Sequence, residues 1–421
     1  MFLYYHYPPR QSSGVYRNYY LSQSLADITG NAFVFTSDNY RNIEEGSITP
    51  GRNIIVHYVP TLDYRTFFSS SRGQQNKNAY FKEAIKMSFL VQLILRVQRS
   101  FPFNLFLAEG ALLYILSGYI KASRLIRKED VSVIYSSFMP YADHIIASLL
   151  KRRFPQIKWV ADFRDLHSEP LYNNTIFRPV QNWFERKILS KADLITCVSE
   201  GIAKKMKAFG RPVMTLTRGV NIRISSVQFP KFTISYTGSM FRDFRDPAPL
   251  LNILNNMTTL GTIDPQKLEF IYAGKDSDLM EKYVRKSNVN SFYVDKGLLT
   301  REQAMDIQNR SHINLLLTSS DKDHTGLLTG KLFEYFEAGN PILCLVNGPY
   351  DEELEQLFTK LCAGIVIFEP EQNLSKISDF ISVLYHEWGQ TGLVKSKIKR
   401  DILMSEYSWS HQSRRLLNEI S

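Results

Sequence analysis

Short apolar runs alternate with amphipathic stretches along the whole chain, which is typical of parallel sheets covered by helices on both faces. In the first half the predicted strands are Phe2–Tyr5, Asn31–Phe35, Asn53–Val56, Val131–Tyr135, Lys158–Ala161, Leu194–Val198 and Val213–Leu216. Helical periodicity marks Arg17–Leu25, Tyr141–Arg153 and Val180–Leu189 between them. The pattern restarts at Lys231, with predicted strands Phe232–Tyr236, Leu268–Ala273, Ser291–Val294, Ile313–Leu317, Ile342–Val346 and Ile365–Phe368. The chain is therefore predicted to be an α/β protein with two doubly wound parallel-sheet domains.

A polar stretch bounded by glycine and proline, Gly219–Pro230, predicts a linker between the two sheets. The 421 residues suit two domains of about 200 residues each. We therefore expect a first domain at 1–222, a second at 223–398 and a C-terminal helical segment at 399–421.

The segment from Thr325 to Pro341, TGLLTGKLFEYFEAGNP, predicts a glycine-rich loop that runs into a short helix. Two glycines free the loop backbone, Lys331 opens the helix, and Glu334 lies three positions later on the same face. A helix N-terminus with a lysine suits an anion such as a diphosphate. The same pattern also fits a capped structural helix, with Gly339 after its last turn.

Two other phosphate motifs are excluded by spacing. A Walker loop needs four residues between its first glycine and the Gly-Lys pair, and here there are three, followed by Leu332 instead of serine or threonine. The dinucleotide fingerprint G-x-G-x-x-G occurs nowhere in the chain.

Glycines and charged side chains follow several predicted strands, where open parallel sheets bind their ligands. The first strand is followed by Ser12-Ser13-Gly14 and Arg17, and a later one by Asp162-Phe163-Arg164-Asp165. In the second half, Thr237-Gly238-Ser239 precedes Arg242 and Arg245, and Gly274-Lys275 ends the next strand. Each turn alone is weak evidence, but their shared position favours one anionic ligand held between two domains.

The formal net charge of +10 predicts attraction to anions: nucleic acid, anionic lipid or phosphorylated substrates. No nucleic-acid motif is present, and Lys151-Arg152-Arg153 and Lys204-Lys205 fall where solvated helix faces are expected. Three widely spaced cysteines, Cys197, Cys344 and Cys362, are expected to be buried, reduced thiols of a cytoplasmic protein.

The most hydrophobic region, Phe101–Ile120, carries Pro102, Asn104 and Glu109, so we expect no transmembrane helix there. The N-terminal MFLYYHYPPR fits neither a signal peptide nor an anchor. With Lys121, Arg124, Arg127 and Lys128 close by, the hydrophobic region could rest on an anionic membrane surface. A buried helix with an exposed basic end fits the same residues.

Eight segments follow one another along the chain: PPRQSSGVYR, ADFRD, KADLITCVSEGIAKKM, RGVN, YTGSMFRDFRDP, IYAGK, TGKLFEYFEAGNPIL and YSWSHQSRRLL. In sequence and order they resemble the retaining nucleotide-sugar glycosyltransferases of family four, which have the GT-B architecture. The resemblance covers nearly the full length. It implies two Rossmann-like domains facing a cleft, with Tyr407–Leu417 crossing back onto the first domain and coupling closure.

Family four usually presents two glutamates separated by seven residues at this block, one toward the donor sugar and one toward the ribose. Glu334 matches the second, and Gly326 stands in place of the first. Backbone N–H groups of residues 325–328 are expected to replace the missing carboxylate, and the base contact is expected near 297–299. Arg164 stands where an acceptor-side histidine is often found, with His167, His144 and His6 as alternatives.

The resemblance and the strand-end positions together give three sets of candidates. The donor-binding candidates are Gly238, Ser239, Gly274, Lys275, Leu298, Thr325, Gly326, Leu327, Leu328, Thr329, Gly330, Lys331, Leu332 and Glu334. The catalytic candidates are Lys331, Arg242, Arg245 and Arg164, with the choice between Arg242 and Arg245 open. The acceptor-binding candidates are Ser13, Gly14, Arg17, Asp162 and Asp165.

The implied reaction needs no protein nucleophile, because cations and the helix N-terminus stabilise the leaving diphosphate. Asp321-Lys322-Asp323 looks like a metal-binding DxD motif, but that motif belongs to another glycosyltransferase fold, so we predict metal independence and no cofactor. The implied partners are a nucleotide-sugar donor and a glycan or polyprenyl-linked acceptor at the inner face of the cytoplasmic membrane. A nucleotide-sugar epimerase and an inert nucleotide-sugar-binding scaffold remain the alternatives.

Overall fold

The computed structural model describes residues 1–10, 12–38, 48–61, 97, 103, 112–165, 178–223, 227–240, 245–320, 326 and 328–421. By its contacts the chain divides into two units, Met1–Thr217 with Gln412–Ser421, and Arg218–His411. The first unit thus ends at 217 instead of the predicted 222, and the chain returns to it at 412 instead of 399. Within its described residues each unit contains one parallel sheet.

The first sheet has the strand order β3-β2-β1-β4-β5-β6-β7. Its strands are β1 Phe2–Leu3, β2 Ala32–Ser37, β3 Ile54–Val59, β4 Val133–Phe138, β5 Lys158–Phe163, β6 Leu194–Cys197 and β7 Val213–Thr215. The helices are α1 Ser13–Thr29, α2 Leu112–Ile126, α3 Tyr141–Arg153, α4 Arg178–Leu189 and α5 Glu200–Met206. The strand order reverses between β1 and β4, which is where sheets of this type bind ligands.

The second sheet has the order β10-β9-β8-β11-β12-β13, with its own reversal between β8 and β11. Its strands are β8 Phe232–Thr237, β9 Leu268–Ala273, β10 Tyr293–Asp295, β11 Ile313–Ser319, β12 Ile342–Asn347 and β13 Gly364–Phe368. The helices that follow are α6 Ala248–Thr259, α7 Ser277–Lys286, α8 Arg301–Arg310, α9 Gly330–Ala338, α10 Glu352–Leu361, α11 Leu374–Thr391, α12 Arg400–Tyr407 and α13 Trp409–Ile420. The predicted α/β class with two Rossmann-like parallel sheets is confirmed.

Both faces of the second sheet are buried, as its continuous apolar strands require. On β12, Leu343 and Leu345 pack with α6 and α11, whereas Ile342, Cys344 and Val346 pack with α9 and α10. Alternate side chains of one strand therefore enter two different cores. This arrangement fixes the start of α9 beside the carboxyl end of the sheet.

The predicted linker lies between β7 and β8, as expected. Within its described residues, Val220 N donates to Tyr407 O at 2.8 Å and Arg223 pairs with Glu337 at 2.6 Å. These bonds tie the stretch to the second unit. Cys362 is exposed, contrary to expectation, because it ends α10 in the left-handed conformation and points away from the core, whereas Cys197 and Cys344 are buried as expected.

No helix among the described residues is long and apolar enough to cross a membrane. The described part of the hydrophobic region forms α2, whose buried face contacts α3 so closely that a Cβ at Gly118 would lie 2.8 Å from Ile146 Cδ1. The opposite face of α2 is exposed.

Gly364→Ala should destabilise the second unit strongly. Gly364 begins β13 with φ +136°, and a Cβ there would lie 2.0 Å from the backbone oxygen of Ile342. We expect a loss of about 2 kcal/mol or more in the free energy of urea unfolding, since both the strained φ and the backbone clash must be relieved.

Gly389→Ala is the matched control, because no atom lies within 4 Å of its Cβ position on α11. That variant should gain about 0.5–1 kcal/mol from better helix propensity. Equal effects of the two substitutions would contradict the close approach of β12 and β13.

Candidate functional site

The start of α9 carries the strongest concentration of charge among the described candidate residues. Thr329 caps the helix through its hydroxyl, which accepts from Leu332 N at 3.4 Å. Lys331 Nζ lies 2.9 Å from Glu334 Oε2, on the same helix face. Gly339 ends the helix in the left-handed conformation with φ +80°, as the sequence predicted.

Two arginines from elsewhere in the second unit share the Glu334 carboxylate. Arg218 Nη1 lies 3.6 Å and Arg301 Nη2 3.5 Å from Glu334 Oε1. Arg218 Nη1 also donates to the carbonyl of Gly330, the first residue of α9. Three cations therefore surround one carboxylate that is 8% exposed.

This arrangement sets the protonation state of Glu334. Burial by itself raises the pKa of the carboxyl, but the charges of Lys331, Arg218 and Arg301 outweigh burial and lower the pKa to about 2. Glu334 is thus a hydrogen-bond acceptor at any physiological pH. Among the described residues, three cations face this one carboxylate beside a helix N-terminus.

The turns after β8, β9 and β10 meet at the same edge of the sheet. Gly238, with φ +154°, donates its N–H to Ala273 O, and Gly274 donates to Gly297 O. A Cβ at Gly274 would lie 2.2 Å from Gly238 O, so glycine is required there. The backbones of these three turns therefore approach one another closely.

The Gly238 turn lies next to Lys331. A Cβ at Gly238 would lie 3.8 Å from Lys331 Cε, and Arg245 Nη1 donates to the carbonyl of Ser239 at 2.8 Å. Lys275 and Leu298, at the ends of the next two turns, are exposed. The structure therefore brings Gly238, Ser239 and Arg245 together with Lys331.

Gly326 is held by a carboxylate that sequence reasoning missed. Its N–H donates to Asp351 Oδ2 at 2.6 Å, and Asp351 Oδ1 accepts from Leu354 N at the start of α10. A buried aspartate thus stands beside the position of the missing first glutamate. Leu328 packs on the core with Leu332, whose side chain is fully buried. Arg242, Thr325, Leu327, His167 and Asp321-Lys322-Asp323 lie outside the described residues.

In the first unit, two acceptor candidates bind each other. Arg17 Nη1 donates to Asp162 Oδ2 at 2.6 Å and Nη2 to Oδ1 at 3.1 Å, and Asp162 also accepts from Ser137 and Thr196. Asp162 is fully buried and Arg17 is 4% exposed. One donor, Arg17 Nε, has no hydrogen-bond partner among the described residues, but the charges of the pair balance, which suits a structural role better than contact with an acceptor.

The other acceptor-side candidates lie around the start of α1. Ser13 begins the helix after its cap Ser12, and Gly14 is so close to Arg164 that a Cβ would lie 1.9 Å from Nη1. Arg164 Nε donates to Phe138 O at 3.0 Å. Asp165 lies in the turn after β5 and is the last described residue before position 178. A guanidinium thus lies beside a helix N-terminus, as an anionic ligand would require.

The fallback histidines differ in their surroundings. His144 is fully buried, its Nδ1 bonds Ser136 Oγ at 2.8 Å, and burial lowers its pKa to about 3. His6 pairs with Arg10. His144 is therefore a core residue. Its neighbour Asp143 accepts hydrogen bonds from Tyr5 N and Tyr114 OH, and burial raises the pKa of Asp143 to about 7.

Comparisons with known proteins agree with this architecture. Residues 68–223 match the model of Glycosyltransferase Family 4. A comparison with curated proteins finds no match. Among solved structures, sucrose-phosphate synthase from Thermosynechococcus elongatus is 10% identical with a TM-score of 0.62, and covers 99% of this chain and 96% of its own.

Two further solved structures are similar over their whole length. The lipopolysaccharide outer core galactosyltransferase WaaB is 11% identical, with a TM-score of 0.57 over 100% of this chain and 98% of its own. S. aureus TarM, in complex with fondaparinux, α-GlcNAc-glycerol and UDP, is 11% identical, with a TM-score of 0.58 over 100% and 99%. At these identities the likeness shows the fold. The family match agrees with the resemblance to family four over residues 68–223, and the GT-B fold is confirmed over the chain.

Asp162→Asn should destabilise the first unit by about 3–5 kcal/mol at pH 7, because it leaves Arg17 buried beside an uncharged partner. Burial raises the pKa of Asp162, but Arg17, Arg164 and Thr196 outweigh it and the pKa lies below its ordinary value. The native state then binds fewer protons than the unfolded state in acid. The stabilisation is therefore complete above the ordinary aspartate pKa and is lost as the pH falls through the native value.

Urea unfolding at pH 7 and at pH 3 measures this effect, with Glu281→Gln on the exposed face of α7 as control. The control should change stability by less than about 0.5 kcal/mol at both pH values. A wild type and an Asp162→Asn variant of equal stability at pH 7 would show that the pair contributes nothing.

Proposed function

We propose that this chain, a glycosyltransferase of the GT-B fold with a Family 4 segment at 68–223, transfers a sugar from a nucleotide-diphosphate sugar with retention of anomeric configuration. The acceptor is a glycan or polyprenyl-linked glycan of bacterial surface polysaccharide biosynthesis: capsule, O-antigen or exopolysaccharide. The observation that carries the donor half of this proposal is the excess positive charge around Glu334 at the start of α9.

On the donor side, the diphosphate lies against Lys331 and the N-terminus of α9. Arg245 lies beside the diphosphate position, where it donates to the carbonyl of Ser239. Arg242, from the same turn, remains a candidate phosphate ligand. Glu334, fixed as a carboxylate, accepts hydrogen bonds from the two ribose hydroxyls. Support comes from solved structures of this fold that were determined with UDP or with UDP-2-fluoro glucose.

In the transfer step the bond between the anomeric carbon and the β-phosphate oxygen breaks, and a bond to the acceptor oxygen forms. Negative charge develops on the leaving diphosphate, where fixed cations stabilise the transition state more than the ground state. The departing phosphate takes the acceptor proton, so no protein nucleophile is needed. These cations also do the work that a divalent metal does elsewhere, which supports metal independence.

The acceptor class is supported by α2. Leu112, Leu113, Leu116 and Ile120 form an exposed stripe on this helix, each between 41% and 51% exposed. The exposed basic residues Lys121, Arg124, Arg127 and Lys128 follow it. An apolar stripe with adjoining cations suits the surface of an anionic membrane, where a polyprenyl-linked acceptor is found. The similar WaaB acts on lipopolysaccharide outer core, as its name states.

Calorimetric titration with UDP, GDP and ADP, in the presence of EDTA, tests the donor site. We expect one nucleotide to bind selectively, and Lys331→Ala and Glu334→Ala each to weaken its binding about ten-fold or more, since each removes a charged contact. Lys286→Ala, an exposed lysine at the end of α7, is the matched control and should bind as the wild type does.

Nucleotide binding that survives both substitutions unchanged would contradict this site. Turnover is then followed with the sugar form of the bound nucleotide, and NMR of the product's anomeric signal decides between retention and inversion. Tight binding without transfer to any acceptor would favour the inert scaffold, and conversion of the donor without an acceptor would favour the epimerase.

Charge reversal at Lys121, Arg124 and Arg127 tests the membrane surface. We expect binding to vesicles of phosphatidylglycerol and phosphatidylcholine to fall at least ten-fold, because each cation near an anionic surface contributes about 1 kcal/mol. Reversal of the exposed Arg152, Arg153 and Lys158 changes the net charge equally and should have little effect. If both triple variants retain vesicle binding and activity, the membrane proposal is wrong.

A further inference from the structure

Arg218 lies at a distinctive place in the chain. It is the first residue of the second unit and is 4% exposed. Its Nη1 reaches both the carbonyl of Gly330 and the carboxylate of Glu334, and so joins the first residue of α9 to the residue one turn later. Sequence reasoning quoted this arginine within RGVN and gave it no role.

A second arginine of the same segment gives a direct comparison. Arg223 Nη2 lies 2.6 Å from Glu337 Oε2, and Asn221 N donates to Glu337 Oε1 at 3.1 Å. Both oxygens of Glu337 are thus engaged at hydrogen-bond distance, while one donor of Arg223, Nη1, has no hydrogen-bond partner among the described residues. Glu337 lies three residues after Glu334 on α9 and is equally buried.

The contacts of Arg218 are looser and incomplete. Its nearest atom is 3.6 Å from Glu334, beyond hydrogen-bond distance. Among the described residues, neither Nε nor Nη2 of Arg218 has a hydrogen-bond partner, although both atoms are buried. Buried unpaired donors are costly, and a guanidinium with two of them beside a helix N-terminus is expected where a ligand oxygen completes the set.

We propose that Arg218 is a positioning residue of the nucleotide site, whose guanidinium keeps the Glu334 carboxylate charged and turned toward the ribose hydroxyls. This inference rests on the proposed function, because it assigns the ligand of Glu334. It adds a residue 112 positions from Gly330 in sequence, in the segment that leads from the first sheet into the second.

Several charged groups face Glu334 and enter the test. Lys331 lies on its own helix, Arg301 on α8, and Arg218 and Arg223 on the segment before β8. Tyr335 is the adjacent titratable group on α9. Removal of Arg218 leaves Lys331 and Arg301 as the ion-pair partners of a buried carboxyl, so its pKa must rise from about 2 toward the range where burial dominates.

The experiment measures the affinity of the nucleotide that the wild type binds best, from UDP, GDP and ADP, at pH 7 and at pH 4. The variants are Arg218→Met, Arg218→Lys and the control Arg223→Met. The affinity of each variant is divided by that of the wild type at the same pH, so that the titration of the nucleotide itself cancels. Loss of one adjacent cation raises a carboxyl pKa by about one to three units. A rise of two to three units from about 2 protonates roughly half to nine-tenths of Glu334 at pH 4, so the relative affinity of Arg218→Met should then fall about two- to ten-fold between pH 7 and pH 4.

The conservative variant separates charge from packing. Arg218→Lys keeps the positive charge, so its relative affinity should be the same at both pH values, even if it is lower throughout. Arg223→Met should show a smaller pH-dependent loss, because Arg223 pairs with Glu337 and acts on Glu334 less than Arg218 does. A pH profile of Arg218→Met parallel to the wild type, or an equal acid loss in Arg223→Met, would overturn the inference. If Arg218→Met does not fold, Arg218→Gln takes its place.

A failure of the proposed function is distinguishable from a failure of this inference. If the wild type binds none of the three nucleotides, the ribose assignment fails with the donor site. The urea midpoints of Arg218→Met, Glu334→Gln and the double variant then test whether Arg218 still controls Glu334. Non-additive midpoints support control of Glu334 by Arg218, and additive midpoints exclude it.

Discussion

The second unit contains a buried carboxylate that its neighbours keep charged. Glu334 is inside the protein, where burial favours its neutral form, and three cations from three separate segments reverse that preference. To meet at Glu334, Lys331 requires the start of α9, Arg301 the start of α8, and Arg218 the segment that leads into β8. The start of α9, the start of α8 and the segment before β8 are therefore linked through this one group.

The two units share a topology but use its reversal point differently. In the first sheet, Arg17 and Asp162 form a bidentate pair with further hydroxyl donors, so the charges are balanced and buried. In the second sheet, three cations face the single carboxylate of Glu334 among the described residues. A neutral ion pair suits a structural role, whereas several cations around one carboxylate suit the binding of an anionic ligand.

The segment between the two sheets bonds to the Arg17–Asp162 network at one end and to the Glu334 cluster at the other. Leu216, at the end of the first unit, offers its carbonyl to Arg17, and Arg218, two residues later, offers its guanidinium to Gly330. A stretch that resembles a flexible polar linker is therefore tightly specified by hydrogen bonds at each end. Gly219 follows the same logic, since a Cβ there would lie 2.3 Å from the Trp409 ring.

The sequence by itself determined the alternation of strands and helices, the short helix at 330–338 and the pairing of Lys331 with Glu334, because these depend on periodicity, capping and a spacing of three residues. Tertiary structure alone decided that Arg17 pairs with Asp162, that Asp351 accepts a hydrogen bond from Gly326, and that Arg218 and Arg301 lie beside Glu334. These partners are far apart in the chain. No local pattern encodes them, since they meet only when the ends of parallel strands are brought to one edge of a sheet.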